Sequence, residues 1–206
     1  MSTVLIVQRP SAAARQLVLL FHGVGSSAEN LRPVGQALAA HLPEAFIVSV
    51  QAPDASDVGG GWQWFSVLGI TEANRSARVA ATMSRFVQTV QHWQQASGVG
   101  AANTTLLGFS QGAIMALAST QQPLPLAGRI VAIAGRYAQP PQTAPSSTRI
   151  HLMHGDADPV MPVRLGVEAQ AQLQALGVEV TLDQFPGLGH GIDTRVLDRV
   201  VERLKV

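Results

Sequence analysis

The sequence predicts an α/β protein with a mainly parallel central sheet and helices on its flanks. Short apolar runs alternate along the chain with segments of helical period, which is the pattern of successive βαβ units. Runs such as QLVLLF (16–21) and AFIVSV (45–50) are apolar almost throughout, as expected for strands buried on both faces of a sheet. The 206 residues fit one domain, which we assign to residues 1–206.

Composition and charge exclude several classes of protein. Hydrophobic residues make up 47% of the chain and charged residues 13%, whereas disordered chains are poor in the first and rich in the second. The net charge of +1, without a run of Lys or Arg, argues against a nucleic-acid partner. The absence of cysteine excludes a disulfide framework, a thiolate metal site and a cysteine nucleophile.

The N-terminal sequence predicts no export or membrane segment. Its apolar run, Val4 to Val7, is shorter than the core of a secretory leader. No stretch approaches the roughly 18 apolar residues of a membrane span. We therefore expect a cytoplasmic protein without stable membrane insertion.

The first half of the chain is predicted to contain two strands, a helix and a long loop. The first strand begins at Gln16 and is stopped by Gly23, and the second covers 45–50. Between them, Ser27 is suited to cap a helix. The apolar residues of that helix fall on one stripe: Leu31, Val34, Leu38 and Leu42. Residues 51–69 form a loop containing Gly, Pro and Asp, and long loops in compact domains are often functional.

The second half continues the alternation of helices and strands. A long helix is predicted from about Thr71, with Glu72 as negative charge in its first turn. Its apolar residues recur at spacings of three and four: Val79, Met83, Phe86, Val90 and Trp93. Strands are predicted at 104–109, 129–135, 149–155 and 178–185. Helices are predicted at 110–120, at 163–177 ending on Gly177, and at 191–206.

A Gly-x-Ser-x-Gly motif joins the strand at 104–109 to the helix after it. Gly108 and Gly112 flank Ser110 and remove side chains where the strand and the helix come close. In this context the motif presents a serine hydroxyl as a nucleophile at the carboxyl edge of the sheet. The alternative is a glycine-rich turn in which Ser110 only caps the helix.

A serine nucleophile needs a base, and the base needs an acid that orients it. Where this motif occurs, the acid and then the base follow the serine along the chain. His190 lies in the glycine-flanked segment FPGLGHGID (185–193) and is the candidate base. His151 and His154 lie within a predicted strand, so we expect structural roles for both, with a structural hydrogen bond for His154.

Two aspartates follow the strand at 149–155, and spacing alone does not choose between them. Pro159 fixes the chain after Asp158, which favours a rigidly placed carboxylate. Asp156 is equally well positioned along the chain, although an Asp here also caps its own turn readily.

A pair of backbone N–H groups is the expected partner of a developing oxyanion. The loop HGVG (22–25), after the first strand, supplies one candidate donor, the N–H of Val24. The N–H of Gln111, directly after the serine and at a helix N-terminus, supplies the other. We expect His22 to brace this loop rather than act as a base.

Four motifs in this order resemble those of a known family: FHGVG (21–25), GFSQGA (108–113), HGDADPVMP (154–162) and GLGHGI (187–192). Together they resemble the small serine esterases of the phospholipase/carboxylesterase family, which includes the acyl-protein thioesterases. The resemblance extends from about Leu17 to Leu204. Residues 63–79 are also similar to a bacterial branch of cytoplasmic esterases.

The resemblance implies an α/β-hydrolase fold in a single domain without a large lid. It implies that the acid is Asp158, which directly precedes the proline of Asp-Pro-Val, and that Val24 and Gln111 supply the oxyanion hole. It also implies that Trp64 and Phe65 line the substrate pocket, and the alternative for both is an aromatic plug packed under the long loop. This chemistry needs no metal and no organic cofactor.

The predicted function is hydrolysis of short- to medium-chain acyl esters, which are small molecules, through a covalent acyl-enzyme. A thioesterase or lysophospholipase using the same site is one alternative, and a non-catalytic binding protein is an alternative of another class. Leu107, Ala113 and Ser66 differ from the residues of many relatives. These differences, with the short 51–69 segment, argue against protein depalmitoylation. Both a monomer and a homodimer are compatible with the sequence.

Overall fold

The computed structural model describes residues 4–145 and 147–205. Among these, the strands are β1 (Leu5–Gln8), β2 (Gln16–Phe21), β3 (Ala45–Val50), β4 (Asp54–Ala55), β5 (Trp62–Gln63), β6 (Thr104–Phe109), β7 (Arg129–Ile133), β8 (Arg149–Gly155) and β9 (Val180–Phe185). The α-helices are α1 (Arg32–Ala39), α2 (Glu72–Ser97), α3 (Gln111–Ser119), α4 (Arg164–Ala175) and α5 (Thr194–Leu204).

Seven of the described strands form the central sheet in the order β1-β3-β2-β6-β7-β8-β9. From β3 to β9 every neighbouring pair is parallel, and only β1 runs antiparallel to its neighbour β3. The carboxyl ends of the parallel strands therefore meet at one edge of the sheet. The segments that carry the predicted serine, acid, base and oxyanion donors leave β2, β6, β8 and β9 at this edge.

Helices cover both faces of the sheet, and alternate residues of each strand belong to different halves of the core. Leu17, Leu19 and Phe21 of β2 pack in the apolar cluster formed with α2, α3 and α4. Val18 and Leu20 pack in the cluster formed with α1 and α5. Because both faces are covered, the strands read as continuous apolar runs, and the predicted parallel α/β fold is confirmed.

The helix ends follow local sequence signals. Thr71 precedes α2, and its backbone N–H donates to Asn74 Oδ1 at 2.8 Å, as in a capping box. After α4, Gly177 has φ = 76°, and the N–H of Val178 donates to Leu173 O at 3.0 Å, which is a Schellman end. None of the described helices is both long and apolar enough to cross a membrane.

Several elements differ from the sequence prediction. The apolar run at Val4–Val7 contributes an edge strand, β1, which we did not predict. The predicted loop at 51–69 contains a two-stranded hairpin formed by β4 and β5. Ser27 precedes a 3₁₀ turn over Ala28–Leu31 rather than α1, and its side chain makes no capping hydrogen bond. The predicted last residue of the C-terminal helix, Val206, lies outside the described residues.

Backbone segments pack very closely where α3 begins. A Cβ added to Gly112 would lie 2.1 Å from the carbonyl oxygen of Phe21, at the end of β2. A Cβ on Gly108 would lie 2.4 Å from the backbone of Gly112 and Ala113. Real Cβ atoms do not approach backbone this closely, so only glycine allows β6, α3 and β2 to meet here.

We predict that Gly112→Ala lowers the free energy of unfolding by roughly 3 kcal/mol, because the backbone of α3 or β2 must move to accept the methyl group. Gly100→Ala is the matched control, because its Cβ would meet no atom within 4 Å and its φ of −77° suits alanine. Urea unfolding measures both variants. Equal stability of the two variants would contradict the packing described here.

Candidate active site

Ser110 occupies a strained turn between β6 and α3. Its φ of 52° and ψ of −114° lie outside the regions that residues with a Cβ normally adopt. The backbone N–H of Ser110 donates to Ile133 O of β7 at 2.9 Å, which fixes the turn to the sheet. The Ser110 side chain makes no capping hydrogen bond to α3, so its hydroxyl does not serve the helix.

The Ser110 hydroxyl contacts His190 instead. The distance from His190 Nε2 to Ser110 Oγ is 3.1 Å, and the distance from His190 Nδ1 to Asp158 Oδ2 is 2.7 Å. These contacts join residues from the ends of β6, β8 and β9 in one line. The ring of Phe109 lies beside the imidazole, with the centroids 4.9 Å apart.

The Asp158 carboxylate is fully buried and holds the imidazole in a defined orientation. Its side chain has 0% exposure, and its Oδ1 accepts the N–H groups of Val160 and Met161, both at 2.8 Å. Oδ2 is left to accept the Nδ1–H of His190. With that proton on Nδ1, the Nε2 lone pair faces the serine hydroxyl, as a general base requires.

The two aspartates between which sequence spacing does not choose have different partners in the structure. Asp156 Oδ1 accepts the N–H of Gly187 at 2.7 Å and so holds the beginning of the loop that carries His190. Asp158 contacts the imidazole itself.

The predicted oxyanion donors lie on the two sides of Ser110. Gln111 is the first residue of α3, where backbone N–H groups lack partners within the helix. Val24 lies in the loop after β2, which is in contact with the serine, since a Cβ on Gly23 would lie 3.2 Å from Ser110 Cβ. Within the part of the chain that the structure describes, neither N–H donates to a protein acceptor.

His22 braces this loop, as the sequence predicts. Its Nε2 accepts the N–H of Ala52 at 3.0 Å, so Nδ1 carries the proton and donates to Gly23 O at 2.7 Å. Burial lowers the pKa of His22, while the bond to Gly23 opposes that shift. The neutral ring thus ties the end of β2 to the segment after β3.

The other strand histidines lie away from the hydrogen-bonded line. His151 Nδ1 pairs with Thr181 Oγ1 of β9 at 2.8 Å, and burial lowers its pKa to about 4. Among the described residues neither ring nitrogen of His154 has a partner at full hydrogen-bond geometry, but backbone groups of Met161 and Gly135 lie close enough to act on the ring. The His154 ring also packs against α4, where a Cβ on Gly166 would lie 2.6 Å from its Cδ2. Burial lowers the pKa of His154 as well.

Trp64 and Phe65 are both buried. Trp64 has 2% exposure, and its ring packs against Phe86 and Phe21 at centroid distances of 5.1 and 6.0 Å. Phe65 belongs to the same apolar cluster. This packing resembles an aromatic plug under the long loop, which is the alternative to a substrate wall.

Sequence reasoning missed the side chain of Gln111. Its Oε1 accepts the N–H of Trp64 at 2.6 Å, and its Nε2 donates to Phe65 O at 2.8 Å. These partners lie 47 and 46 positions earlier in the chain. The only signal in the sequence is a polar residue at the start of an otherwise apolar, buried helix.

A mostly parallel sheet with a serine, a histidine and an aspartate joined at its carboxyl edge defines the α/β-hydrolase fold. The esterase PE8 structure superposes with a TM-score of 0.88 at 29% identity, covering 99% of this chain and 97% of that one. The Arabidopsis thaliana SOBER1 structure superposes with a TM-score of 0.76 at 25% identity, covering 93% and 98%. The fold class predicted from the sequence is therefore confirmed.

A sequence model of the phospholipase/carboxylesterase family matches residues 2–206. Esterase YpfH of Escherichia coli K12 is 48% identical over 97% of this chain and 86% of its own length. Acyl-protein thioesterase 1 of Neurospora crassa is 30% identical over 79% of this chain and 71% of its own length. The chain belongs to the phospholipase/carboxylesterase family and is a carboxylic-ester hydrolase.

We predict that the protein loses stability in mild acid because His22 and His154 are buried, and His151 is partly buried, as neutral rings. Burial lowers the pKa of all three below the ordinary histidine value. Below about pH 6.5 the unfolded chain therefore binds protons that the folded chain does not, and the free energy of unfolding falls as the pH falls. For His151 this loss continues to about pH 4.

Urea unfolding at several pH values between neutrality and pH 5 measures this slope. His151→Gln removes one titrating group and keeps a polar side chain near Thr181, so the slope should decrease by up to about 1.4 kcal/mol per pH unit. Parallel curves for this variant and the original chain would contradict the assignment for His151.

Proposed function

We propose that Ser110, His190 and Asp158 form a catalytic triad that hydrolyses carboxylic esters through a covalent acyl-enzyme. The observation that carries this proposal is the hydrogen-bonded line from Ser110 Oγ through His190 to Asp158 Oδ2. The strained backbone at Ser110 supports it, because such strain persists only where the surrounding structure enforces it and is concentrated at functional sites.

In the first step, Ser110 Oγ attacks the ester carbonyl carbon while its proton passes to His190 Nε2. The carbonyl oxygen becomes an oxyanion, which accepts hydrogen bonds from the N–H groups of Val24 and Gln111. The bond to the leaving oxygen then breaks, and His190 donates the proton to the departing alcohol. The product of this step is an acyl ester on Ser110.

In the second step, water replaces the alcohol. His190 takes a proton from the water, whose oxygen attacks the acyl carbon and forms a second oxyanion at the same donors. Collapse of this intermediate releases the carboxylic acid and returns the proton to Ser110 Oγ. Asp158 remains ionised throughout and stabilises the charged imidazole.

The proposed substrates are small acyl esters of short to medium chain length. The 48% sequence identity to the protein named Esterase YpfH supports oxygen esters as substrates. A thioester is the second candidate, because the Neurospora crassa relative is named acyl-protein thioesterase 1 and both esters pass through the same tetrahedral intermediate. Substrate contact by Trp64 and Phe65, and a cytoplasmic location, remain predictions.

We predict that a fluorophosphonate probe labels the chain and does not label Ser110→Ala, because only an activated serine reacts with it. Intact-protein mass spectrometry measures the adduct. A binding protein without turnover would leave the chain unlabelled, and labelling that persists in Ser110→Ala would assign the nucleophile to another residue.

The two aspartates provide a matched pair of substitutions. Asp158→Asn removes the acceptor for the His190 Nδ1 proton, so kcat should fall by about 10⁴-fold. Asp156→Asn keeps a carbonyl oxygen for the Gly187 N–H and should retain most of its activity. Initial rates with p-nitrophenyl butanoate measure both variants, and equal effects would remove Asp158 from the proposed triad.

A chain-length series decides between the substrate candidates. We predict that kcat/KM is highest for p-nitrophenyl esters of short to medium acyl chains and declines for palmitoyl esters. Acyl-CoA thioesters and lysophospholipids are assayed beside them at equal chain length. A preference for either over the oxygen ester would replace the esterase proposal with the corresponding alternative.

A further inference from the structure

The two proposed oxyanion donors belong to different loops, and one short segment is hydrogen-bonded to both loops. We define the bridging segment as Trp62–Phe65, which begins with β5 of the hairpin. We propose that this segment positions the two donors relative to each other, with the Gln111 side chain as a positioning residue. The proposal rests on the oxyanion role given above to Val24 and Gln111.

At one end, the bridging segment is fastened to the loop that contains Val24. The N–H of Gly25 donates to Trp62 O at 3.0 Å, and the N–H of Trp62 donates to Ser26 O at 2.9 Å. These bonds form an antiparallel bridge between Ser26 and Trp62. Because Val24 directly precedes Gly25, the orientation of its N–H depends on this attachment.

At the other end, the segment is fastened to the residue after the serine. The Gln111 side-chain amide pairs with the N–H of Trp64 and the carbonyl oxygen of Phe65, at 2.6 and 2.8 Å. Gln111 is 2% exposed, so water does not compete for these bonds. A buried amide that satisfies both partners fixes one geometry, whereas an apolar side chain would leave two buried backbone groups unpaired.

The middle of the segment is anchored in the core. The Trp64 ring packs against Phe86 and Phe21, and Phe21 is also the residue whose carbonyl oxygen contacts Gly112. The segment therefore has little freedom to move toward either loop. This gives the buried aromatic residues a role in catalysis that needs no contact with the substrate.

Gln111→Met tests the attachment of the bridging segment to Gln111, because it keeps the length of the side chain and the backbone N–H but removes both side-chain bonds. A displacement of about 1 Å in a catalytic group costs up to about 10²-fold, so kcat should fall by about 10- to 100-fold. KM should change by less than about threefold. Gln94→Met is the control, because the Gln94 amide donates to Thr104 Oγ1 and Leu126 O, at the opposite edge of the sheet.

Two glycines of the hairpin test the attachment of the bridging segment to the loop that contains Val24. Gly59 and Gly61 both have φ = 77°, so alanine strains the backbone equally at each. A Cβ on Gly61 would lie 2.3 Å from Gly25 O, whereas a Cβ on Gly59 would meet nothing within 4 Å. Gly61→Ala should therefore reduce kcat by about tenfold or more, and Gly59→Ala should not. This pair decides the question if Gln111→Met does not fold.

The specific readout is inhibition by an alkyl trifluoromethyl ketone, whose adduct with a serine carries an oxyanion. The corresponding carbinol forms no adduct and reports on ordinary binding. In Gln111→Met and Gly61→Ala the inhibition constant of the ketone should rise with the loss in kcat, and that of the carbinol should stay constant. Rates are expressed per active site, counted with the fluorophosphonate.

The outcomes are separable. If the unmodified chain forms no ketone adduct and Ser110→Ala keeps full activity, the proposed function itself fails. If the unmodified chain binds the ketone and Gln111→Met and Gly61→Ala bind it equally well, only the positioning role fails. A parallel loss for the carbinol, or equal losses in Gly59→Ala or Gln94→Met, would mean general structural damage and would also overturn it.

Discussion

The close contact between Gly112 and the carbonyl oxygen of Phe21 determines how the site is assembled. It brings the start of α3 against the end of β2, and the residue after Phe21 is His22, which opens the loop that contains Val24. Ser110 and both proposed oxyanion donors are thus brought together by backbone packing. This backbone arrangement is possible because Gly112 has no Cβ, and the side chains of the site are placed upon it.

The strain at Ser110 is maintained by the same packing. A residue with φ = 52° and ψ = −114° costs of order 1–3 kcal/mol relative to a relaxed backbone. The hydrogen bond from Ser110 N–H to Ile133 O and the buried helix that follows resist its relaxation. In return, the hydroxyl faces His190 rather than the N-terminus of α3, so it is available for chemistry.

Much of the fold and the site could be predicted from the sequence because they depend on strong local signals. Buried parallel strands are apolar throughout, and glycines mark the turn at Ser110. The edge strand β1 escaped prediction because it is short, only partly buried and irregularly paired, with a register shift between Ile6 and Gln8. The contacts of the Gln111 side chain join distant segments, and no local pattern encodes them.

The choice between Asp156 and Asp158 shows where spacing stops being informative. Both follow β8 within a few residues, and only the direction of each side chain separates them. Likewise, a histidine in a strand can pair with a side chain of the next strand, as His151 does, or lie among apolar groups and loop backbone, as His154 does. These distinctions depend on neighbouring strands and helices, which the order of residues in one segment does not specify.

The two aspartates after β8 also hold the segment that contains the His190 imidazole. Asp156 binds the N–H of Gly187, Asp158 binds the ring, and between them the N–H of Ala157 donates to Leu188 O at 3.1 Å. The N–H of Leu188 also donates to the carbonyl oxygen of Phe185, the last residue of β9, at 3.3 Å. The segment from Gly187 to His190 is therefore held by the ends of both β8 and β9. An insertion after His190 would leave these bonds intact, whereas an insertion between Gly187 and His190 would displace the ring from Asp158.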